Sequence, residues 1–418
     1  MADLDELLTE ALRDLAAEAP GLPPLSPRVR RRIHAGRAAT VLISAVVVAG
    51  LSGGLVIGAQ ALNRAAPQGR APQGGAARPA IAYVTSNGAG TVTPILTTTN
   101  RTLAPVKAGR SPNAVVVAPD GKMAYVANLR TVTPIRIATH TALAPIKVGQ
   151  SPENLAITPN GATLYVVNVG SSTVTAIRTA TDTVIKTIKV GRTPSGIAIT
   201  PDGKTAYVTN ANAGTVTPIR VATDTALAPI ITGQDPAGIA ITPDGKTAYV
   251  TNVGAGTVTP IQVATDTALA PIRVGKGPLS IAITPDGSTV YVACQFAGTV
   301  VPIRVATNTA LAPIKVGRLP EFVAVTPDGK TVYVANSQGD TVVPIDTATN
   351  TALKRVKTGR EPVAIAITPD SKTAYVVNGG PGTVTPIRTA TNTALAPIKV
   401  GRVPTAITIY PPQRRRQP

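Results

Sequence analysis

Residues 236–277 read PAGIAITPDGKTAYVTNVGAGTVTPIQVATDTALAPIRVGKG, and their reading decides the fold. The β-branched runs GIAIT and TAYVT flank PDGK, a turn in which Pro presets φ, Asp bonds nearby backbone and Gly supplies φ > 0. Two further runs, GTVTPIQVAT and TALAPIRVG, are joined through a Thr-Asp pair. One unit thus carries four strands, a to d in chain order. The unit recurs: its Tyr-Val pair stands at Tyr83, Tyr125, Tyr165, Tyr207, Tyr249, Tyr291, Tyr333 and Tyr375, in steps of 42 residues with a single step of 40. A repeat of that length with four short strands stacks on copies of itself as the blades of a β-propeller.

The expected fold is all-β: one propeller of four-stranded blades over residues 80–412, with eight blades, or seven as the alternative. The chain enters the repeat at a strand b, residues 81–86, and leaves after a strand a, residues 405–410. The last strand therefore completes the first blade, and closure buries edges that an open ring would expose. With 44% apolar residues, only 3% aromatic and no Trp, the core has to be built from Val, Ile, Ala and Leu, which suits stacked, twisted sheets. Prolines complicate the strand reading. Pro134, Pro218, Pro260, Pro302, Pro344 and Pro386 fall inside strand c, where proline cannot donate to a ladder, so a bulge or a missing c-to-d bond is expected there. Prolines in strand d, such as Pro313 and Pro397, lie on an edge, where they block aggregation.

The formal charge is +19, and its placement is uneven. Residues 1–37 hold six acidic and six basic side chains, so the whole excess lies beyond residue 63. Such a surface favours polyanions or an acidic envelope, or is simply a well-solvated repeat surface. The single cysteine, Cys294, excludes an intrachain disulfide and any Cys-based metal site.

Residues 38–62 carry no charge, and as a helix at ~1.5 Å per residue they exceed the ~30 Å hydrocarbon core of a bilayer. Arg28, Arg30, Arg31, Arg32 and Arg37 precede this segment, against Arg64 and Arg70 after it. The positive-inside rule then puts the N-terminus in the cytoplasm and the propeller outside. A cleaved signal peptide, ending near Ala59-Gln60-Ala61, is the alternative. Gly50, Gly54 and Gly58 share one helix face and would permit a helix-mediated dimer. Leu4, Leu7, Leu8, Leu12 and Leu15 predict a short amphipathic helix within the cytoplasmic segment 1–37. That segment resembles the N-termini of actinobacterial membrane proteins encoded beside extracytoplasmic-function sigma factors. Residues 63–79 read as a flexible stalk and 413–418 as a basic tail.

The strands YVTN at 207–210 and 249–252, each preceded by TPDGK, resemble the YVTN β-propeller repeat family over roughly residues 80–412. The resemblance implies an extracytoplasmic or surface-layer type of propeller. Relatives of similar sequence include lactonase-type propellers and periplasmic propellers linked to nucleic-acid binding. No nucleic-acid-binding motif accompanies the likeness here.

Most polar positions recur in near-identical copies, which suits a scaffold better than a catalytic centre. Asp120, Asp202, Asp244, Asp286, Asp328 and Asp370 read as turn formers. Asn128, Asn168, Asn210, Asn252, Asn336 and Asn378 read as caps of the b-to-c turn. His140 replaces the Asp or Asn of the c-to-d turn. The d-to-a connection reads Gly-X-X-Pro eight times, and its first X is cationic at Arg110, Arg192, Lys276, Arg318, Arg360 and Arg402. Feeding the innermost strand, these six should crown one mouth of the channel and attract phosphate or carboxylate. Phe296 and Phe322, the two phenylalanines, fall on the same predicted face and form a candidate partner contact. No catalytic residue, metal ligand or cofactor site is assigned.

The leading functional expectation is a membrane-anchored, non-enzymatic binding scaffold for a cell-wall polyanion or envelope protein. A lactonase-like hydrolase is the alternative, with Glu321 and Glu361 as its nearest acid-base candidates. A third reading is an envelope sensor coupled to a cytoplasmic partner.

Overall fold

In blade 5 the four expected runs become strand a (Pro236–Ile241), strand b (Thr247–Asn252), strand c (Thr257–Gln262) and a strand d in two pieces, Thr267–Ala268 and Ile272–Arg273. The computed structural model describes residues 80–410, and there this antiparallel meander occurs as eight sheets. Successive strands a pack side by side around the ring, which settles the count at eight blades. We number them by their strand b: blade 1 carries Tyr83 and blade 8 carries Tyr375.

Closure is as expected. The first strand b, Ile81–Ser86, lies between its own strand c and the C-terminal strand a, Pro404–Tyr410. The first and last described strands thereby share one sheet, so the ring cannot open without breaking a blade. Among the described residues no helix is long and apolar enough to cross a membrane. Segments 1–37, 38–62, 63–79 and 413–418 lie outside the described residues.

The core runs between blades. Tyr249, Val258 and Ile272 of blade 5, for example, pack on Ile281, Val290 and Val301 of blade 6. All eight strand-b tyrosines are fully buried. Their hydroxyls need a partner at that depth, because an unmade buried hydrogen bond costs ~1–3 kcal/mol. Each finds one in the c-to-d turn of the next blade. Tyr125 donates to Asp182 Oδ1 at 2.8 Å, Tyr249 to Asn308 Oδ1 at 2.6 Å and Tyr333 to Asn392 Oδ1 at 2.6 Å. Tyr375 of blade 8 reaches Asn100 of blade 1, and Tyr83 of blade 1 lies 3.3 Å from Nδ1 of His140, completing the circle. The accepting residues all have φ between +48° and +56°, a conformation that Asn and Asp tolerate better than other side chains.

The strand-c prolines do remove c-to-d bonds. Opposite Pro134, strand d breaks into Thr141–Ala142 and Ile146–Lys147, and Pro134 only accepts, from the Leu143 N–H at 2.8 Å. Two blades identify the cause. Blade 7 has Pro344 in strand c but Lys354-Arg355 in strand d, and its strand d is still broken, into Thr351–Ala352 and Val356–Lys357. Blade 3 has Ala176 in strand c and no proline in strand d, and there strand d is continuous over Thr183–Lys189, with a β-bulge at Ile185. The missing donor in strand c is therefore sufficient to split its neighbour.

Candidate functional site: the cationic mouth

The b-to-c turns and the d-to-a connections lie at one end of the ring, and the a-to-b and c-to-d turns at the other. At the first end the residue before each Gly-X-X-Pro proline has positive φ in all eight copies. Only Gly277 is a glycine; the others are Ser111, Ser151, Thr193, Asp235, Leu319, Glu361 and Val403, with φ between +48° and +57°. That conformation costs a non-glycine residue ~1–2 kcal/mol, most for β-branched Thr193 and Val403. Backbone bonds from the b-to-c turn hold it: Ala211 N–H donates to Thr193 O at 2.9 Å, Ser337 N–H to Leu319 O at 3.0 Å and Asn87 N–H to Val403 O at 2.9 Å. Strain fixed by its surroundings in this way marks a loop whose geometry is specified.

In six of the eight connections the preceding residue is a cation. Arg110, Arg192, Lys276, Arg318, Arg360 and Arg402 are all exposed. Three of their carbonyls are held as well: Arg110 O accepts from Leu129 N–H and Arg402 O from Gly88 N–H, both at 3.1 Å, and Arg360 O from Gly380 N–H at 3.4 Å. The ring is not uniform. Cations lead into blades 6, 7, 8, 1 and 2 in succession, then Gln150, Arg192 and Gln234 lead into blades 3, 4 and 5. Five adjacent blades thus form a cationic arc. Among the described residues the four ion pairs all join Lys and Asp of the PDGK-type turns at the opposite end, so no carboxylate neutralises the arc by a direct pair.

The turn aspartates act as expected: Asp202 Oδ1 accepts from Thr200 Oγ1 at 2.6 Å and from Lys204 N–H at 3.0 Å. The strand-b asparagines do more than cap a turn. Asn168 Nδ2 donates across to Thr173 and Thr175 Oγ1 at 3.1 and 2.9 Å, and Asn210 does the same to Thr215 and Thr217. They are buried under the d-to-a glycines, where a Cβ on Gly191 would meet Asn210 Cβ at 2.7 Å. Cys294 takes this position in blade 6; burial pushes its thiol up to about 12, so it stays an unreactive neutral thiol.

The phenylalanine pair is not brought together on the surface. Phe296 is 56% exposed and lies over Gly277, where a Cβ would meet its ring at 2.4 Å. Phe322 is 4% exposed, in strand a opposite Ala335, and belongs to the core between blades 7 and 8. Its alternation in the strand turns it inward, so it cannot form part of a partner contact.

Carboxylates at this end were less legible. Glu321 accepts from Ser337 Oγ at 2.7 Å; burial raises its pKa, Ser337 opposes the rise, and the charge of Glu361 adds to it. Glu361 N–H in turn donates to Asp340 Oδ1 at 3.2 Å. In blade 3, Glu153 holds the same strand-a position as Glu321. Each is the extra residue of a β-bulge: Pro152 pairs with Asn168 and Asn154 with Val167, leaving Glu153 without an opposite. Glu153 is 7% exposed, and burial pushes its carboxyl up to about 7. Its departure from the Asn, Ser, Ala, Leu, Val or Thr found at this position in other blades was the sequence signal that would have singled it out. No group of three or more His, Cys, Asp or Glu side chains among the described residues is arranged to hold a metal.

Residues 278–379 match the model of the YNCE-like β-propeller family, and residues 221–315 that of the lactonase, seven-bladed β-propeller family. Each match spans about a quarter of the chain, too little to bear on the blade count. No curated protein matches. Among solved structures, hydrazine synthase from Kuenenia stuttgartiensis is 27% identical with a TM-score of 0.57, covering 67% of this chain and 96% of that one. Dihydro-heme d1 dehydrogenase NirN in complex with DHE is 15% identical with a TM-score of 0.70, covering 80% and 76%. A functionally unknown protein from Desulfotomaculum acetoxidans is 19% identical with a TM-score of 0.56, covering 72% and 100%. The last two likenesses concern the fold alone. The chain is thus an eight-bladed β-propeller whose Tyr-Val-Thr-Asn strands resemble the YVTN repeat, and part of it is similar to the YNCE-like and lactonase propellers.

Proposed function

We propose that the protein is an extracytoplasmic propeller, anchored through residues 38–62, whose cationic mouth binds an anionic partner of the cell envelope without turning it over. One observation carries this reading: five adjacent blades present exposed cations on pinned connections at the same end, with no ion pair among the described residues to offset them. Fixed backbones reduce the ordering cost of binding, and guanidinium groups match phosphate or carboxylate geometry. The test compares two charge reversals in the full chain. Arg318→Glu with Arg360→Glu should sharply reduce retention on isolated cell-wall material. Lys122→Glu with Lys372→Glu, the same charge change at the opposite end, should leave it nearly intact. Equal loss from both pairs would reduce the mouth to a contributor of net charge.

A hydrolase reading keeps one specific support. Glu321 and Glu361 are close enough for the charge of one to raise the pKa of the other, and Ser337 orients Glu321. Two carboxyls in neighbouring positions, one of them raised, is an arrangement that general acid-base work can use. Hydrolysis of a lactone panel by the full chain, abolished by Glu321→Gln, would establish it; turnover unchanged in that variant would remove these residues from the account.

A further inference from the structure

The outer edge of each blade is strand d, and seven of the eight blades break it. Proline sits in strand d at Pro105, Pro145, Pro229, Pro271, Pro313 and Pro397, and blade 7 is broken by Pro344 next door. Short, interrupted edges with proline are how sheets avoid pairing with other chains. Blade 3 omits the device twice over, with Ala176 in strand c and Thr187 where its siblings have the strand-d proline. Its edge, Thr183–Lys189, pairs with strand c on both sides of a β-bulge at Ile185 and, among the described residues, has no strand on its other side. Val184 and Ile185 on it are 43% and 38% exposed, and Lys186 and Lys189 are exposed too.

We propose that strand d of blade 3 is a docking edge for an extended peptide strand bearing carboxylate side chains. The outward backbone groups supply the hydrogen bonds of an added strand, Val184 and Ile185 supply apolar contact, and the two lysines select the charge. A second copy of the chain is the wrong occupant. Antiparallel pairing about the centre of the edge sets Lys186 against Lys186, and like charges directly opposite are destabilising. This edge lies on the flank of the ring, so the proposal is independent of the cationic mouth.

The test uses the full chain and a fluorescent peptide of alternating valine, threonine and glutamate, with a counterpart carrying lysine for glutamate. The glutamate peptide should bind and slow amide exchange over residues 183–189. Thr187→Pro, which gives blade 3 the proline its siblings tolerate, should weaken binding at least about tenfold. Lys186→Glu with Lys189→Glu, which leaves the backbone free, should reverse the preference between the two peptides. Failure of the glutamate peptide to bind, equal binding to Thr187→Pro, protection outside 183–189, or an unreversed preference would each overturn the proposal.

Discussion

Asp and Asn do two jobs in the c-to-d turn: they accept a left-handed backbone, and they receive the tyrosine hydroxyl of the preceding blade. The first job was legible, because turn chemistry is local. The second was not, since Tyr207 and Asp266 are 59 residues apart and nothing in one repeat states which blade it touches. His140 performs both jobs with an imidazole, and burial lowers its pKa. The unfolded chain therefore takes up the proton first as pH falls, and stability is lost below the ordinary histidine range. His140→Asn, which restores the side chain of the sibling turns, should flatten that loss in thermal unfolding between pH 7 and 5. An unchanged slope would show that other groups govern it. Glu153 behaves oppositely. Its folded pKa, about 7 against an ordinary 4.5, means that stability is full at low pH and is lost as pH rises through 7. Glu153→Gln should be nearly neutral at pH 4 and stabilise at pH 8 by up to about 3 kcal/mol. Equal effects at both pH values would contradict the burial argument.

At the scale of the element, the period, the a-to-b turn and the strand order could all be read directly, because each rests on spacing and turn residues within 42 positions. The consequence of the strand-c proline was legible only as an alternative between a bulge and a lost bond. Blades 3 and 7 show both: strand d carries one extra residue opposite strand c in each, even beside Ala176, and the edge breaks in addition where strand c has proline. Pro344→Ala should accordingly join the two pieces of strand d in blade 7, which has no proline of its own. Amide exchange should slow at residues 354 and 355, since Leu353 N–H already donates to Pro344 O at 2.8 Å; unaltered exchange there would place the cause of the break in strand d. Phe322 illustrates the opposite difficulty. Its position in strand a was clear, but a bulge at Glu321 resets which side chains face the core, and bulges leave little trace in sequence.

For the whole molecule, closure followed from where the chain enters and leaves the repeat, and eight blades followed from closure. The six connection cations share one end of the ring, because every copy of Gly-X-X-Pro occupies the same point in the meander. What stayed hidden was the strained backbone that holds them, since Thr193, Leu319 and Val403 are poor residues for positive φ. The arc from blade 6 to blade 2 gives the ring a charged side and a weaker side, which a uniform repeat would lack. Long-range attraction to such an arc is screened over ~8–10 Å at ordinary ionic strength. The decisive measurement is the fraction of full-length protein retained on isolated cell-wall material as salt is raised from low to moderate, for the wild type and for Arg318→Glu with Arg360→Glu. The account predicts wild-type retention that falls steeply with salt and a variant that binds weakly with a shallow dependence. Retention independent of salt, or parallel curves for the two proteins, would contradict a cationic mouth as the binding site.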